Sequence, residues 1–152
     1  MSSKIINHFL NSVLDIMPQL GFSNIEKKDI SVKESSIKVH GVMLNLGVVG
    51  DMKGNVIYNM SENDAKKIAS KMMMGMPVLE FDDMAQSAIS ELSNMLTAKA
   101  SINLEKEGIN TNISTPTLTY GSDFEVKTNT DKIVTSEVLV DDISIKVNIA
   151  FE

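Results

Sequence analysis

Ile143-Ser144-Ile145-Lys146-Val147-Asn148-Ile149-Ala150-Phe151 puts a large apolar side chain at every odd position, with Ser144, Lys146 and Asn148 between them. A side-chain period of two is the mark of a β-strand. The segment therefore predicts a sheet with one buried face and one wetter face. Asp141-Asp142 just before it reads as a hairpin turn joining it to a strand over residues 132–140. Upstream, residues 123–128 form a weaker strand, and the Thr-rich residues 110–120 are extended, an edge or loop rather than a binding site. In the N-terminal half, strands are predicted at residues 30–33, 37–46 and 55–59. The glycines of Gly50-Asp51-Met52-Lys53-Gly54 suit the turn between the last two.

Helical rhythm fills the rest. Residues 5–20 place Ile6, Leu10, Val13, Leu14, Met17 and Leu20 on one face, and Pro18 and Gly21 close the segment. Ser61 stands as an N-cap with Asp64 three residues on, an acidic form of the capping box. The helix it opens runs to about residue 74, where Gly75 and Pro77 stop it. A longer helix is predicted over residues 81–107, ended by Gly108. On it Met84, Ala85, Ala88, Leu92, Met95 and Leu96 fill one arc, assigned to the core. The order helix, strands, helix, helix, strands predicts an α+β fold, with helices packed on one side of a largely antiparallel sheet. A single domain over residues 1–152 is expected. The order also hints at a duplicated helix-plus-strands unit, as pattern only.

Composition excludes several chemistries. With no cysteine, there is no disulfide framework, thiolate metal site or cysteine nucleophile. The two histidines, His8 and His40, lack a ligand-spaced companion, so no metal site is expected and each reads as structural or solvated. Fourteen basic against twenty acidic residues give a formal charge of −6. A chain of this charge repels a polyanion, and Lys27-Lys28 and Lys66-Lys67 are isolated pairs rather than a basic patch. No nucleic acid is expected as a partner. The N-terminal residues do not read as a signal segment, and the apolar stretch 39–50 is too short to span a bilayer. A cytoplasmic protein without membrane attachment is the expectation. Met72, Met73, Met74 and Met76 are assigned to core filling ahead of an adaptable partner surface.

Ser87, Glu91 and Asn94 stand at i, i+4 and i+7 beside the apolar arc of the long helix, within about 60° of one another. A hydroxyl, a carboxylate and a carboxamide thus share one polar stripe. By itself such a stripe reads as a solvated face. Together with Pro116 downstream, however, Ser87-x3-Glu91-x2-Asn94 resembles the signature of the CheC/CheX/FliY family of CheY phosphatases. The resemblance also covers Phe9-Leu10-Asn11-Ser12-Val13, residues 47–55 and residues 65–77, in the expected order. Length and the single motif resemble CheX-type members most. One departure is that Asn94 and Pro116 enclose 21 residues, one fewer than the family pattern.

The resemblance implies a CheC/CheX-like fold and hydrolysis of the phosphoaspartate of a phosphorylated CheY-like receiver. It implies no cofactor in this chain; the Mg²⁺ belongs to the receiver, which also supplies a lysine. What is left to supply is a water in line with the phosphorus. Asn94 suits that role, since its amide oxygen accepts a hydrogen bond and fixes the direction of the water without acting as a base. Glu91 would pair with the receiver's lysine. Ser87 and Pro116 would contact the partner. In the first helix the corresponding spacing meets Ser12, Ile16 and Gln19, without carboxylate or asparagine, so one site per chain is expected. A homodimer is implied by the resemblance, with strand edges in the C-terminal half able to pair across chains. The alternatives are a non-catalytic receiver-binding module and a module of the flagellar switch.

Overall fold

The alternating segment forms strand β6 (Ile143–Phe151), which lies in the middle of a six-stranded sheet and not at its edge. The sheet belongs to a computed structural model that describes residues 2–152, with side chains from residue 4 onward. Its other strands are β1 (Ile25–Lys27), β2 (Ser31–Gly50), β3 (Gly54–Met60), β4 (Thr111–Ile113) and β5 (Thr117–Val140). Three helices complete the fold: α1 (Ser2–Ile16), continued by a 3-10 turn at Met17–Leu20, α2 (Glu62–Met72) and α3 (Asp83–Glu105). The sheet order is β1-β5-β6-β3-β2-β4, every pairing is antiparallel, and β5 also pairs with β2.

That order reads the same from both ends when β1, β2 and β3 exchange with β4, β5 and β6. The chain is thus two helix-plus-three-strand units, α1 with β1–β3 and α3 with β4–β6, meeting along β3 and β6. The duplication hinted at by the element order is present in the topology. Helix α2 is the connection between the halves.

All three helices cover one face of the sheet. Ile6, Phe9, Leu10 and Val13 of α1, Ile68 of α2 and Ile89, Leu92 and Leu96 of α3 pack with Leu44, Leu46, Val56, Val138, Ile145 and Val147 in one core. Ser61 caps α2 as expected, its Oγ accepting the Asp64 backbone N–H at 3.0 Å. Asp64 does not close a capping box. Its carboxylate accepts the Ser144 N–H at 3.2 Å and ties α2 to the sheet.

The opposite face departs from the expectation of a wet surface. The predicted segments 30–33 and 37–46 are one twenty-residue strand, and 117–140 is likewise continuous. Together β2 and β5 make a ribbon with register shifts at Glu34/Ser36 and Val39/Gly41, and such shifts bend a strand. Gly41 has φ +113°, and a Cβ there would lie 2.6 Å from the Met60 carbonyl oxygen, so only glycine lets α2 start so close to the bend. Beyond it, Ile37 and Val39, with Phe124 and Val126, pack on Met43, Ile57, Ile133 and Ala150 as a second core. Beneath the ribbon, Asn148 is buried with its hydrogen bonds made. Its amide donates to the Ile57 carbonyl and to Asn59 Oδ1, and its oxygen accepts from Thr135 Oγ1.

Candidate active site

Helix α3 starts at Asp82, whose carboxylate accepts the Ala85 N–H at 3.0 Å, while Gln86 Nε2 donates to the Phe81 carbonyl at 2.9 Å. Its inward face is Ala85, Ile89, Leu92, Leu96, Ala100 and Leu104, with two small hydroxyls, Ser93 and Thr97, buried among them. Thr97 Oγ1 donates to the Ser93 carbonyl at 2.8 Å and lies 2.9 Å from the Tyr58 hydroxyl. The one threonine proton is spent on Ser93, so Tyr58 donates to Thr97. Burial pushes the Tyr58 hydroxyl far above its ordinary pKa, against a smaller lowering by its Thr97 hydrogen bond. This bond, with the burial of Ile89, Leu92 and Leu96, joins the inward face of α3 to the sheet.

The core arc predicted for this helix is therefore shifted. Ala85, Leu92 and Leu96 are buried as expected and Ala88 and Met95 half-buried, but Met84 is exposed, and Ile89, Ser93 and Thr97 take interior places. Alanine and serine are small enough to sit on either side of a helix boundary, so their spacing left the azimuth open.

With that rotation, Ser87 and Glu91 are exposed and Asn94 is half-buried, all along one groove of about 600 Å³. One wall is α3, with Asp83, Gln86 and Ser90 joining the three expected residues; the other is Thr115, Pro116 and Leu118. Pro116, despite its spacing from Asn94, lines the same groove. Its place is set by Ser114, whose backbone N–H donates to the Gly47 carbonyl at 2.9 Å and whose Oγ accepts the Gly47 N–H at 2.8 Å. The Thr-rich segment, expected to be an edge or loop and not a site, thus supplies the second wall. Asp83 was legible in the sequence, since it continues the row Asp83, Ser87, Glu91 at four-residue steps. Thr115 and Leu118 were not, because only the pairing of β4 and β5 with β2 brings them to α3.

Among the described residues, Glu91 enters none of the ion pairs, so its carboxylate is free for a partner. No group of three or more His, Asp or Glu side chains among the described residues is arranged to hold a metal ion. His8 lies 2.9 Å from Glu107, and the exposed His40 lies 2.6 Å from Asp123. In the first helix Ser12 and Ile16 are buried, and Gln19 donates to the Asp15 carbonyl, so the three share no exposed stripe. Among the described residues, no helix is long and apolar enough to cross a membrane.

The family described as chemotaxis phosphatase CheX matches residues 42–136, which contain α2, α3, β4 and both groove walls. The CheY-P phosphatase CheX of Thermotoga maritima is 34% identical over 128 residues, 84% of this chain and 82% of that protein. The chain belongs to the chemotaxis phosphatase CheX family. Solved structures share its fold. A CheX from Desulfovibrio desulfuricans superposes with a TM-score of 0.87 at 17% identity, covering 98% of this chain and 99% of that one. The CheX of a CheX–CheY–BeF3–Mg²⁺ complex from Borrelia burgdorferi gives 0.78 at 24% identity, covering 97% of each chain. FliY of Thermotoga maritima gives 0.72 at 18% identity, covering 97% of this chain and 86% of that one.

Proposed function

We propose that this chain hydrolyses the phosphoaspartate of a phosphorylated CheY-like receiver, as the name of its Thermotoga relative states for that protein. The observation that carries the reading is the open groove in which Glu91 and Asn94 share one exposed side of α3. The chain has no nucleophilic thiol, and the receiver is assigned the Mg²⁺ and the lysine. Asn94 accepts a hydrogen bond from a water and turns its lone pair towards the phosphorus. Glu91, one turn earlier, pairs with the receiver's lysine and sets the register of docking. Ser87 and Pro116 touch the receiver on the two sides of the groove. The proposal places the protein in the cytoplasm.

A homodimer is part of the same proposal. Strand β6 cannot supply the edge, being paired with β3 and β5; the ribbon segment of β5 over residues 117–127 is bonded to β2 on one side and supplies it instead. Sedimentation equilibrium at micromolar concentration should return about twice the chain mass, and a clean monomer removes this claim.

The test of the activity is malachite-green phosphate release from each phosphorylated receiver of the host, with and without the protein. At least one receiver should lose its phosphate faster than it does alone. Binding without acceleration at every receiver would make the chain a docking module.

A further inference from the structure

Met84 is the exposed residue of α3 that its apolar pattern assigned to the core, and it remains 63% accessible. It precedes Glu91 by seven residues, two turns up the same stripe, about 10 Å along the axis and about 20° away in projection. The loop leading into α3 adds to it. Its backbone is pinned: Ser70 Oγ donates to the Met76 carbonyl at 2.7 Å, and Gln86 holds the Phe81 carbonyl. Val78 and Phe81 pack inward, yet Met76 faces outward and Leu79 is 85% accessible. Across the groove mouth, the half-exposed Tyr120 stands edge-on to Phe81, ring centroids 5.3 Å apart, two residues beyond the groove residue Leu118. A fixed loop that turns large apolar side chains to water marks an interaction surface. Over residues 72–98 the chain carries Glu80, Asp82, Asp83 and Glu91 and no lysine or arginine.

We propose that Met76, Leu79, Met84 and Tyr120 form a docking surface for the receiver domain, continuous with the groove. The inference rests on the reading of that groove as the receiver's phosphatase site. The occupant is the receiver's own surface beside its phosphorylation pocket, with an apolar spot for Leu79 and Met84 and a basic rim for the carboxylates around them. The polar stripe only exchanges water contacts for protein contacts, so it orients the receiver and gives little residence. The apolar cap supplies the desolvated centre on which interface affinity depends. Methionine adapts its shape to the partner, and the acidic rim steers a basic one.

The test is calorimetric binding to a receiver loaded with beryllofluoride and Mg²⁺, beside phosphate release from the same receiver when phosphorylated. Leu79→Gln/Met84→Gln, changed only at exposed positions and verified by circular dichroism, should bind at least about tenfold more weakly than the unaltered chain. Asp83→Asn should flatten the salt dependence of binding. A double variant with unaltered affinity overturns the proposal. If the unaltered chain binds the receiver but releases no phosphate, the catalytic reading fails, and the weakened binding still establishes the docking surface. If it binds no receiver of the host, the docking proposal falls. A dimer that the same two substitutions convert to monomer would then identify a second copy as the occupant.

Discussion

Helices α1 and α3 hold equivalent places in the two halves of the sheet, and they are fastened to it by different forces. The inward face of α1 and its 3-10 continuation is apolar but for Ser12, whose Oγ is satisfied within the helix by the Phe9 carbonyl. Ile6, Phe9, Leu10, Val13 and Met17 are buried, and the Phe9 ring lies 6.0 Å from that of Phe151. Such burial is strong and non-directional. Within α3 the inward face mixes apolar residues with Ser93 and Thr97, and a directional bond from Tyr58 holds it. Both helices end before a left-handed glycine, Gly21 and Gly108. Counting back from these glycines sets Glu91 and Asn94 against Lys4 and Asn7, a different correspondence from the motif spacing that meets Ser12, Ile16 and Gln19. The first half keeps an amide there but reverses the charge, and Lys4 lies 3.9 Å from Glu107. A lysine repels the lysine that Glu91 is assigned to attract. One half stabilises; the other has its inward face joined to the sheet and its outer face left open.

Breaking that contrast should cost most in α1. Phe9→Ala should lower the unfolding free energy by about 3–5 kcal/mol in urea denaturation, the usual cost of emptying a buried phenylalanine site. Next comes Asn94→Ala, which should reduce phosphate release at saturating receiver by roughly tenfold to a hundredfold, about 1.4–2.7 kcal/mol of barrier, with stability unchanged. Gln19→Ala in the first half should stay within about twofold. Turnover of Asn94→Ala equal to that of the unaltered chain would remove its water-orienting role.

Tyr58→Phe sharpens the comparison and should cost about 1 kcal/mol, the net worth of one hydrogen bond. Because the folded hydroxyl ionises above its ordinary value, Tyr58 supports the fold below about pH 10 and progressively less as the pH rises past that point. Urea midpoints of the two chains should therefore converge at the alkaline end. The smallest effect is assigned to Lys67 and Asp142, 2.9 Å apart and open to solvent. The hydrogen bond and charge of Lys67 hold Asp142 below the ordinary carboxylate value, and Asp142 holds Lys67 above its own. The carboxylate's contribution is present above about pH 4 and lost as the pH falls through its lowered value; the lysine's is present below about pH 10 and lost as the pH rises through its raised one. Asp142→Asn should therefore shift the midpoint slightly at neutral pH and not at all in strong acid. In about 1 M salt, where the screening length is about 3 Å, the neutral shift should vanish as well.

Much of this was legible in the chain because it depends on near neighbours. The Ser61 cap, the turn at residues 50–54, the helix stops at Gly75 and Gly108, and the stripe from Ser87 to Asn94 each need only a few consecutive residues. What escaped depends on distant ones. Strands β2 and β5 look broken in sequence at their polar stretches, and only their pairing with each other makes them continuous. The alternation of β6 gave its inner face correctly but could not foretell that Ile37 and Val39, more than a hundred residues earlier, cover Ala150. Met84 was misplaced because the azimuth of α3 depends on what it packs against, the buried sheet residues around Tyr58 on another strand, which its own spacing does not contain. Pro116 faces the groove of Asn94 because Ser114 pairs with Gly47.

Strand β2 is bonded on both flanks from Val42 to Asn45, with β3 on one side and β5 on the other. Asn45 pairs with Thr117, the residue next to Pro116, so the wall opposite α3 is anchored in this doubly held stretch. Amides there have no local route to solvent and exchange only when the whole domain opens. Helix α3 is fastened by side chains alone and can rock as a unit without breaking a strand bond. If the groove widens during turnover, the helix keeps its own amide bonds as it moves, so deuterium uptake would be silent on both sides. A distance label on α3 measured against one on β2 would record the motion.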